Sequence, residues 1–329
     1  MTNQKLITIC VPTYHRAKNV VGLVQELLDF ELNDQIEILV IDNDSPDNTF
    51  EELSKFSHHN NVSIFKNEKN IGFTRSLLRC FNLCKTEHLI YLPDDDILYK
   101  DGISELLSFL PTLDLDFLAP RWKKTDGLHM RGRGSDEVRE LSLTGIRSQC
   151  DHLPGCVCRA SSLRFSEKYI LERLDKDCAF AFFYPQTILL YMAKLNNLKL
   201  YSSPILLGGY RPEGSLPKAL DPAGNSYMSY MSLSVSFNIY LGMKHFYEDM
   251  LTKFYDSPLV DELKVFSDAH NLNLYNMIDD AVCFSDDSES KSLGESFRVG
   301  SIKNIFNPIK SFRYLVKFLI VKLKALRYK

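Results

Sequence analysis

Hydrophobic positions along the first hundred residues fall into two alternating kinds of run. LITICVPTY and IEILVIDN are short, continuous and rich in β-branched residues, as strands buried on both faces are. NVSIFKN and HLIYLPDDD predict a third and a fourth strand. Between them AKNVVGLVQELLDF sets Val20, Leu23, Val24, Leu27 and Leu28 on one helical face, and TRSLLRCFNLCK predicts another helix. SPDNTFEELSKF predicts a third, with Ser45 as its N-cap and Pro46 at the first helical position. The order β-α-β-α-β-α-β predicts an α/β fold, a mostly parallel sheet flanked by crossover helices.

Farther along, CDHLPGCVCRASSLRF reads as a loop, a glycine and a short strand. YPQTILLYMAKLNN predicts a helix with Ile188, Leu189, Met192 and Leu195 on one face. KLYSSPILLGGYRPEG predicts a strand closing on Gly208-Gly209-Tyr210-Arg211. Beyond Asp221 the pattern is mainly helical, longest in YMSYMSLSVSFNIYLGMKHFYEDML, with no internal repeat.

In parallel α/β sheets, ligands bind outside the carboxyl ends of the strands. Pro12-Thr13-Tyr14-His15-Arg16 ends the first strand, Asp42-Asn43-Asp44-Ser45 the second and Asp94-Asp95-Asp96 the fourth. Three polar clusters on one rim argue for a site. Three adjacent carboxylates repel one another, so they either splay into water or gather a cation.

Composition adds bounds. With 329 residues, 45% hydrophobic and 25% charged, the chain suits one large domain with an appendage, or two domains. Its apolar runs fall short of the roughly 18 residues of a transmembrane helix. MTNQKLITIC lacks the basic, apolar and small-residue regions of a signal peptide, so the cytoplasm is expected. None of the eight cysteines forms a C-x-x-C pair, and reduced structural thiols are expected. Net charge is −3, yet Arg298 to Lys329 carries nine basic residues and no acid. The remainder has 30 basic against 42 acidic residues, a balance of −12.

ITICVPTYHR, IEILVIDNDSPDNT, NIGFTRSLLRCF and HLIYLPDDDIL, in that order, resemble the nucleotide-sugar half of family 2 glycosyltransferases, whose fold is called GT-A (Rossmann-like). The match covers roughly Leu6 to Gly102. The remainder more loosely resembles bacterial members that build O-antigen or capsule, the abequosyltransferase-like type among them. This resemblance implies a GT-A domain over 1–220, with a nucleotide-sugar half (1–102) and an acceptor half (103–220). A mainly helical region (221–297) and a basic tail (298–329) follow.

The resemblance also implies roles. A nucleotide diphosphate sugar is the donor, and Mn2+ or Mg2+ is the cofactor that stabilises charge on the departing diphosphate. Asp95 aligns with the metal ligand, Asp96 with a supplementary or supporting one, and Asp94 with the ribose contact. Pro12, Tyr14, Arg16, Asp42 and Asn43 fall in the nucleotide site, Tyr14 stacking on the base or packing in the core. Many uridine-using relatives have Asp-Asp where this chain has Asp42-Asn43. An amide donates as well as accepts, so Asn43 suits cytosine N3 while still able to accept from uracil or thymine. Arg75 is expected to meet phosphate or base, Arg211 to close over the diphosphate and Gly72 to permit a tight turn, and His152 is a candidate for the acceptor pocket. Inverting members deprotonate the acceptor with an acid that here is missing at Tyr184-Pro185-Gln186. Asp177 and then Asp175 are the nearest candidates for that base.

The basic tail fits the same picture. Lys310, Arg313, Lys317, Lys324 and Arg327 follow a helical stripe, with Leu315, Val316, Phe318, Leu319 and Leu323 forming an apolar face. Such a helix lies on an anionic membrane surface; docking on the body or a homo-oligomer contact is the alternative. The acidic body disfavours nucleic acid. The expected acceptor is a saccharide linked to polyprenyl diphosphate, and the expected location is peripheral, on the inner face of the cell membrane. Competing readings are a non-catalytic sugar- or nucleotide-binding module and a sugar-phosphate nucleotidyltransferase, whose glycine-rich loop is missing from VPTYHRAKN.

Overall fold

The structure, a computed structural model, describes residues 5–124, 128, 133–149, 153–176, 178–211, 233–265 and 267. Apart from 233–237, these belong to one compact unit, residues 1–228 with 238–268. The domain boundaries expected after 220 and 297 lie outside the described residues, as does the basic tail.

Strands β1 (Ile7–Thr13), β2 (Ile36–Asp42), β3 (Val62–Lys66) and β4 (His88–Tyr91) pair in parallel in the order β3-β2-β1-β4. The predicted order of elements is thus the observed one. Helix α1 (Ala17–Leu28) buries the five residues its spacing singles out, each contributing about 1.5–3 kcal/mol on leaving water. Helices α2 (Thr49–Ser54) and α3 (Phe73–Leu83) make the other crossovers, and Gly72 opens α3 at φ 79°. Helix α2 starts three residues later than Pro46 predicts. The Ser45 side chain is engaged by Asp42 and His15, while Asp47 Oδ1 accepts the Thr49 N–H at 3.2 Å.

Past β4 the sheet becomes mixed. Strand β8 (Val157–Arg159) runs antiparallel to β4, β6 (Phe117–Lys123) antiparallel to β8, and β9 (Leu200–Tyr210) parallel to β6. Strands β5 (Asp96–Leu98) and β7 (Arg139–Glu140) pair antiparallel with β9. The parallel character read from the pattern therefore belongs to the first four strands and to the β6–β9 pair. Strands β5 and β8, three residues each, are too short for any period to betray their direction.

Helices α4 (Lys100–Phe109), α5 (Leu143–Gln149), α6 (Arg164–Leu174), α7 (Ala179–Phe183), α8 (Pro185–Leu195) and α9 (Leu233–Lys253) complete the described elements. Helix α8 is buried nearly all round, not on one face as predicted. Phe246 and Tyr247 of α9 pack their rings 6.2 and 5.9 Å from Tyr191, covering a side that spacing alone leaves to water. No helix among the described residues is long and apolar enough to cross a membrane. Cysteines 10, 80, 84, 156, 158 and 178 are free.

Trp122 of β6 is fully buried, clamped by two glycines. A Cβ on Gly155, at φ +73°, would stand 2.0 Å from its ring, and one on Gly208 would stand 2.8 Å from it. The Gly155 N–H also bonds the Tyr91 carbonyl at 2.8 Å, tying this packing to the end of β4. Asp94 stands three residues beyond Tyr91, where that strand leaves off.

Candidate active site

The turns after β1 and β2 are stitched into one unit. His15 and Asp44 both adopt left-handed backbone, at φ 55° and 62°, a conformation that short polar residues tolerate best. The His15 N–H donates to Ser45 Oγ at 2.8 Å, and the Asn43 N–H to the Thr13 carbonyl at 2.9 Å. Ser45 in turn gives both its N–H (3.1 Å) and its hydroxyl to Asp42 Oδ1.

The end of β4 brings its carboxylates to this unit. Asp94, 3% exposed, accepts from Thr13 Oγ1 at 2.6 Å and Arg16 Nη1 at 2.8 Å. Burial pushes its carboxyl up to about 6, against the pull of Arg16 and Thr13. The same Arg16 nitrogen donates to Asp95 Oδ2 at 3.0 Å. The Asp95 side chain is 30% exposed, and its Oδ1 has no hydrogen-bond partner among the described residues. Asp96 is 2% exposed on β5, and burial, with Asp95 and Asp94 beside it, raises its carboxyl to about 8 despite Arg133 and Arg211. The three aspartates are therefore in three different states: one holding two donors, one facing solvent, one buried.

Asp42 is fully buried, and its Oδ2 has no partner among the described residues. Burial raises this carboxyl, and the Ser45 bonds offset part of the rise. Asn43 is held in an amide network: its carbonyl accepts from Asn67 Nδ2 (2.7 Å) and the Ile71 N–H (3.0 Å), and its Nδ2 donates to Asn70 Oδ1 (2.7 Å). Both acceptor positions of that oxygen are taken, leaving one N–H for anything else.

Other candidates are distributed unevenly. Tyr14 and Pro12 are half-buried at the rim, so Tyr14 is not a core residue. Arg75 and Asp175 meet one another at 2.7 Å on the surface, without a bond to the Asp94–Asp95 cluster. Arg211 grips Glu26 of α1 with two bonds, 2.8 and 2.7 Å. Asp177 and His152 lie outside the described residues. Sequence reasoning places Thr13 and Ser45 on the rim but gives neither a role in the site, and it overlooks Asn67 and Asn70. A polar residue closing an apolar strand, as Thr13 does, is the signal that marks the first of them.

Comparison with known proteins follows this geometry. Residues 8–170 match the family model of glycosyl transferase family 2. Abequosyltransferase RfbV of Salmonella typhimurium is 24% identical over 96% of this chain and 97% of its own length. An uncharacterized glycosyltransferase of Mycoplasma genitalium, MG060, is 31% identical over 30% of this chain and 35% of its own. Among solved structures, S. aureus TarS 1–349 superposes with a TM-score of 0.56 at 18% identity, covering 84% of this chain and 80% of that one. Its complex with UDP-GlcNAc gives 0.55 at 17% identity, covering 85% and 73%. Likeness at that identity is likeness of fold, the GT-A fold.

Proposed function

Residues 8–170 are a family 2 glycosyl transferase domain, which makes this chain a glycosyltransferase, and we propose that it moves one sugar from a nucleotide diphosphate donor onto a saccharide of bacterial surface polysaccharide. The observation that carries the reading is the convergence, at the carboxyl ends of β1, β2 and β4, of the Arg16-bridged Asp94 and Asp95 with the unpartnered oxygen of Asp42. Polar atoms buried without partners suit a ligand that supplies them.

In this reading Asp42 Oδ2 accepts from the nucleoside, the half-buried Tyr14 and Pro12 border the base, and the remaining N–H of Asn43 faces it. Asp94, whose oxygens keep lone pairs beyond the bonds of Thr13 and Arg16, takes the ribose hydroxyls. The donor set at the strand end is all hard oxygen, and Asp95 keeps one oxygen uncommitted and open to solvent. That fits Mn2+ or Mg2+, which bind through one or two carboxylates together with phosphate oxygens. Such an ion supplies Lewis-acid stabilisation of the departing diphosphate when bound. Asp96, buried at the start of β5, supports the turn carrying Asp95. Arg211 and Arg75 are the proposed phosphate cations, each now held by a surface carboxylate.

Transfer with inversion requires a base near the acceptor hydroxyl. Asp177 and Asp175 are the proposed candidates, Asp175 standing at the end of α6 beside Arg75. The acceptor reading rests on the near full-length similarity to a protein named abequosyltransferase. The saccharide is proposed to be carried on polyprenyl diphosphate, with the tail from 298 to 329 holding the enzyme to the anionic inner face of the membrane and residues 1–220 and 221–297 as the catalytic domain and its helical extension.

Donor hydrolysis with manganese tests the reading: wild type turns over a nucleotide sugar and Asp95→Ala does not. A thermal-shift screen of UDP, CDP, dTDP and GDP with manganese identifies the nucleotide beforehand. No turnover by either protein would favour a non-catalytic binding module, for nucleotide sugars if a nucleotide still shifts the melting temperature.

A further inference from the structure

A single nitrogen of Arg16 bridges two carboxylates, 2.8 Å from Asp94 Oδ1 and 3.0 Å from Asp95 Oδ2, with the side chain 12% exposed. Its backbone is fixed. Arg16 is the residue capping α1, and its carbonyl accepts from the N–H groups of Asn19 and Val20 at 3.0 and 3.1 Å. His15 before it is locked in left-handed backbone by Ser45. The guanidinium thus already supplies the positive charge that adjacent carboxylates require. Among the described residues no group of three acids, histidines or cysteines is arranged to hold a metal ion by itself, the three aspartates included.

A divalent ion approaching Asp95 meets a carboxylate whose second oxygen is bonded to a cation. Two cations a few ångströms apart repel, and more so near low-dielectric walls. A diphosphate changes this, because a guanidinium binds phosphate oxygens at least as readily as carboxylates and in the same forked geometry. We propose that Arg16 is a positioning residue that couples the two ligands: it holds divalent metal off Asp95 in the free protein, and yields when a nucleoside diphosphate draws its guanidinium onto phosphate. Metal and donor then enter together, and neither binds tightly alone. The inference rests on the reading above, in which metal and diphosphate meet at Asp95.

The test is manganese binding, followed by the electron paramagnetic resonance signal of free Mn2+, in the full chain with and without saturating UDP, CDP or dTDP. Wild type is expected to gain about tenfold or more in Mn2+ affinity from at least one diphosphate, within the usual range of coupling between sites. Arg16→Gln is expected to bind Mn2+ about tenfold tighter than wild type without nucleotide and to lose most of that coupling. Arg16→Lys, which keeps a cation, is expected to exclude Mn2+ much as wild type does; a merely structural role would not separate lysine from glutamine in this way. Equal Mn2+ affinity of wild type and Arg16→Gln without nucleotide overturns the coupling. If Asp95→Asn still abolishes the Mn2+ bound with nucleotide, the metal reading survives that failure. No Mn2+ binding by any variant with any diphosphate overturns both. Should Arg16→Gln fail to fold, a wild type whose Mn2+ affinity is the same with and without all three nucleotides overturns the proposal.

Discussion

Asp96→Asn should make the metal-free protein more stable at neutral pH, although it removes an acidic group beside the site. Burial, together with Asp95 and Asp94, raises this carboxyl from its ordinary value of 3.8 to about 8. The folded chain therefore keeps a proton that the unfolded chain has released, so stability is greatest below about pH 4 and falls as pH rises toward 8. The slope is about 1.4 kcal/mol per pH unit. By pH 7 the accumulated loss is of order 4 kcal/mol. Asparagine matches a neutral carboxyl in size and hydrogen-bonding outline but carries no titrating proton, so the variant lacks this slope. Urea unfolding followed by circular dichroism, in chelator, at half-unit steps from pH 5 to 8.5, reads the difference directly. Contributions of other groups cancel between the two proteins. Parallel stability profiles would refute the reasoning, because they would mean that the folded state relieves the Asp96 charge as well as water does.

Further predictions rest on separate features. Gly155→Ala should lower stability by about 3 kcal/mol or more, since the new Cβ would stand 2.0 Å from the Trp122 ring at φ +73°; an unchanged melting temperature would contradict the packing. Thr13→Val leaves Asp94 Oδ2 without its donor and should cost about 1–3 kcal/mol above pH 6, with a smaller cost where the carboxyl is protonated. Glu26→Ala should change stability by less than about 1 kcal/mol, because Glu26 is nearly half exposed where it pairs with Arg211. If Arg211 serves phosphate, the same change lowers the donor KM while Arg211→Ala raises it. Removing residues 305–329 should release the protein from anionic liposomes, and equal binding by the truncated chain would sink the membrane role.

The first four strands and their helices were legible because each is long enough to show its period, and α1 buried the very residues its spacing named. The sheet beyond β4 was not, since β5, β7 and β8 are two or three residues long and strand direction leaves no trace at that length. Helix α8 misled for another reason: its outer side is polar enough to suggest solvent, and only the return of α9 covers it. At the site, the rim rule gathered Thr13, Arg16, Asp42, Asp94 and Asp95 from three distant segments. What it could not supply is who holds whom. Ser45 looked like a helix cap because its neighbours spell one, yet the left-handed turn at Asp44 folds its hydroxyl back onto Asp42. Arg75 and Asp175, placed by the sequence in different roles, meet as an ion pair, a relation across 100 residues that no local pattern encodes.

The amide network around Asn43 bears on how donor preference can change over time. Asn43 comes from the turn after β2, and Asn67 and Asn70 from the loop between β3 and α3, yet hydrogen bonds join all three. A lone Asn43→Asp change would keep the bonds from Asn67 and Ile71 but set carboxylate against carbonyl at Asn70, replacing an attraction with a repulsion. In the proposed reading, where Asn43 faces the base, nucleotide choice is a joint property of positions 43 and 70, and an engineer seeking a new donor would do well to vary them together.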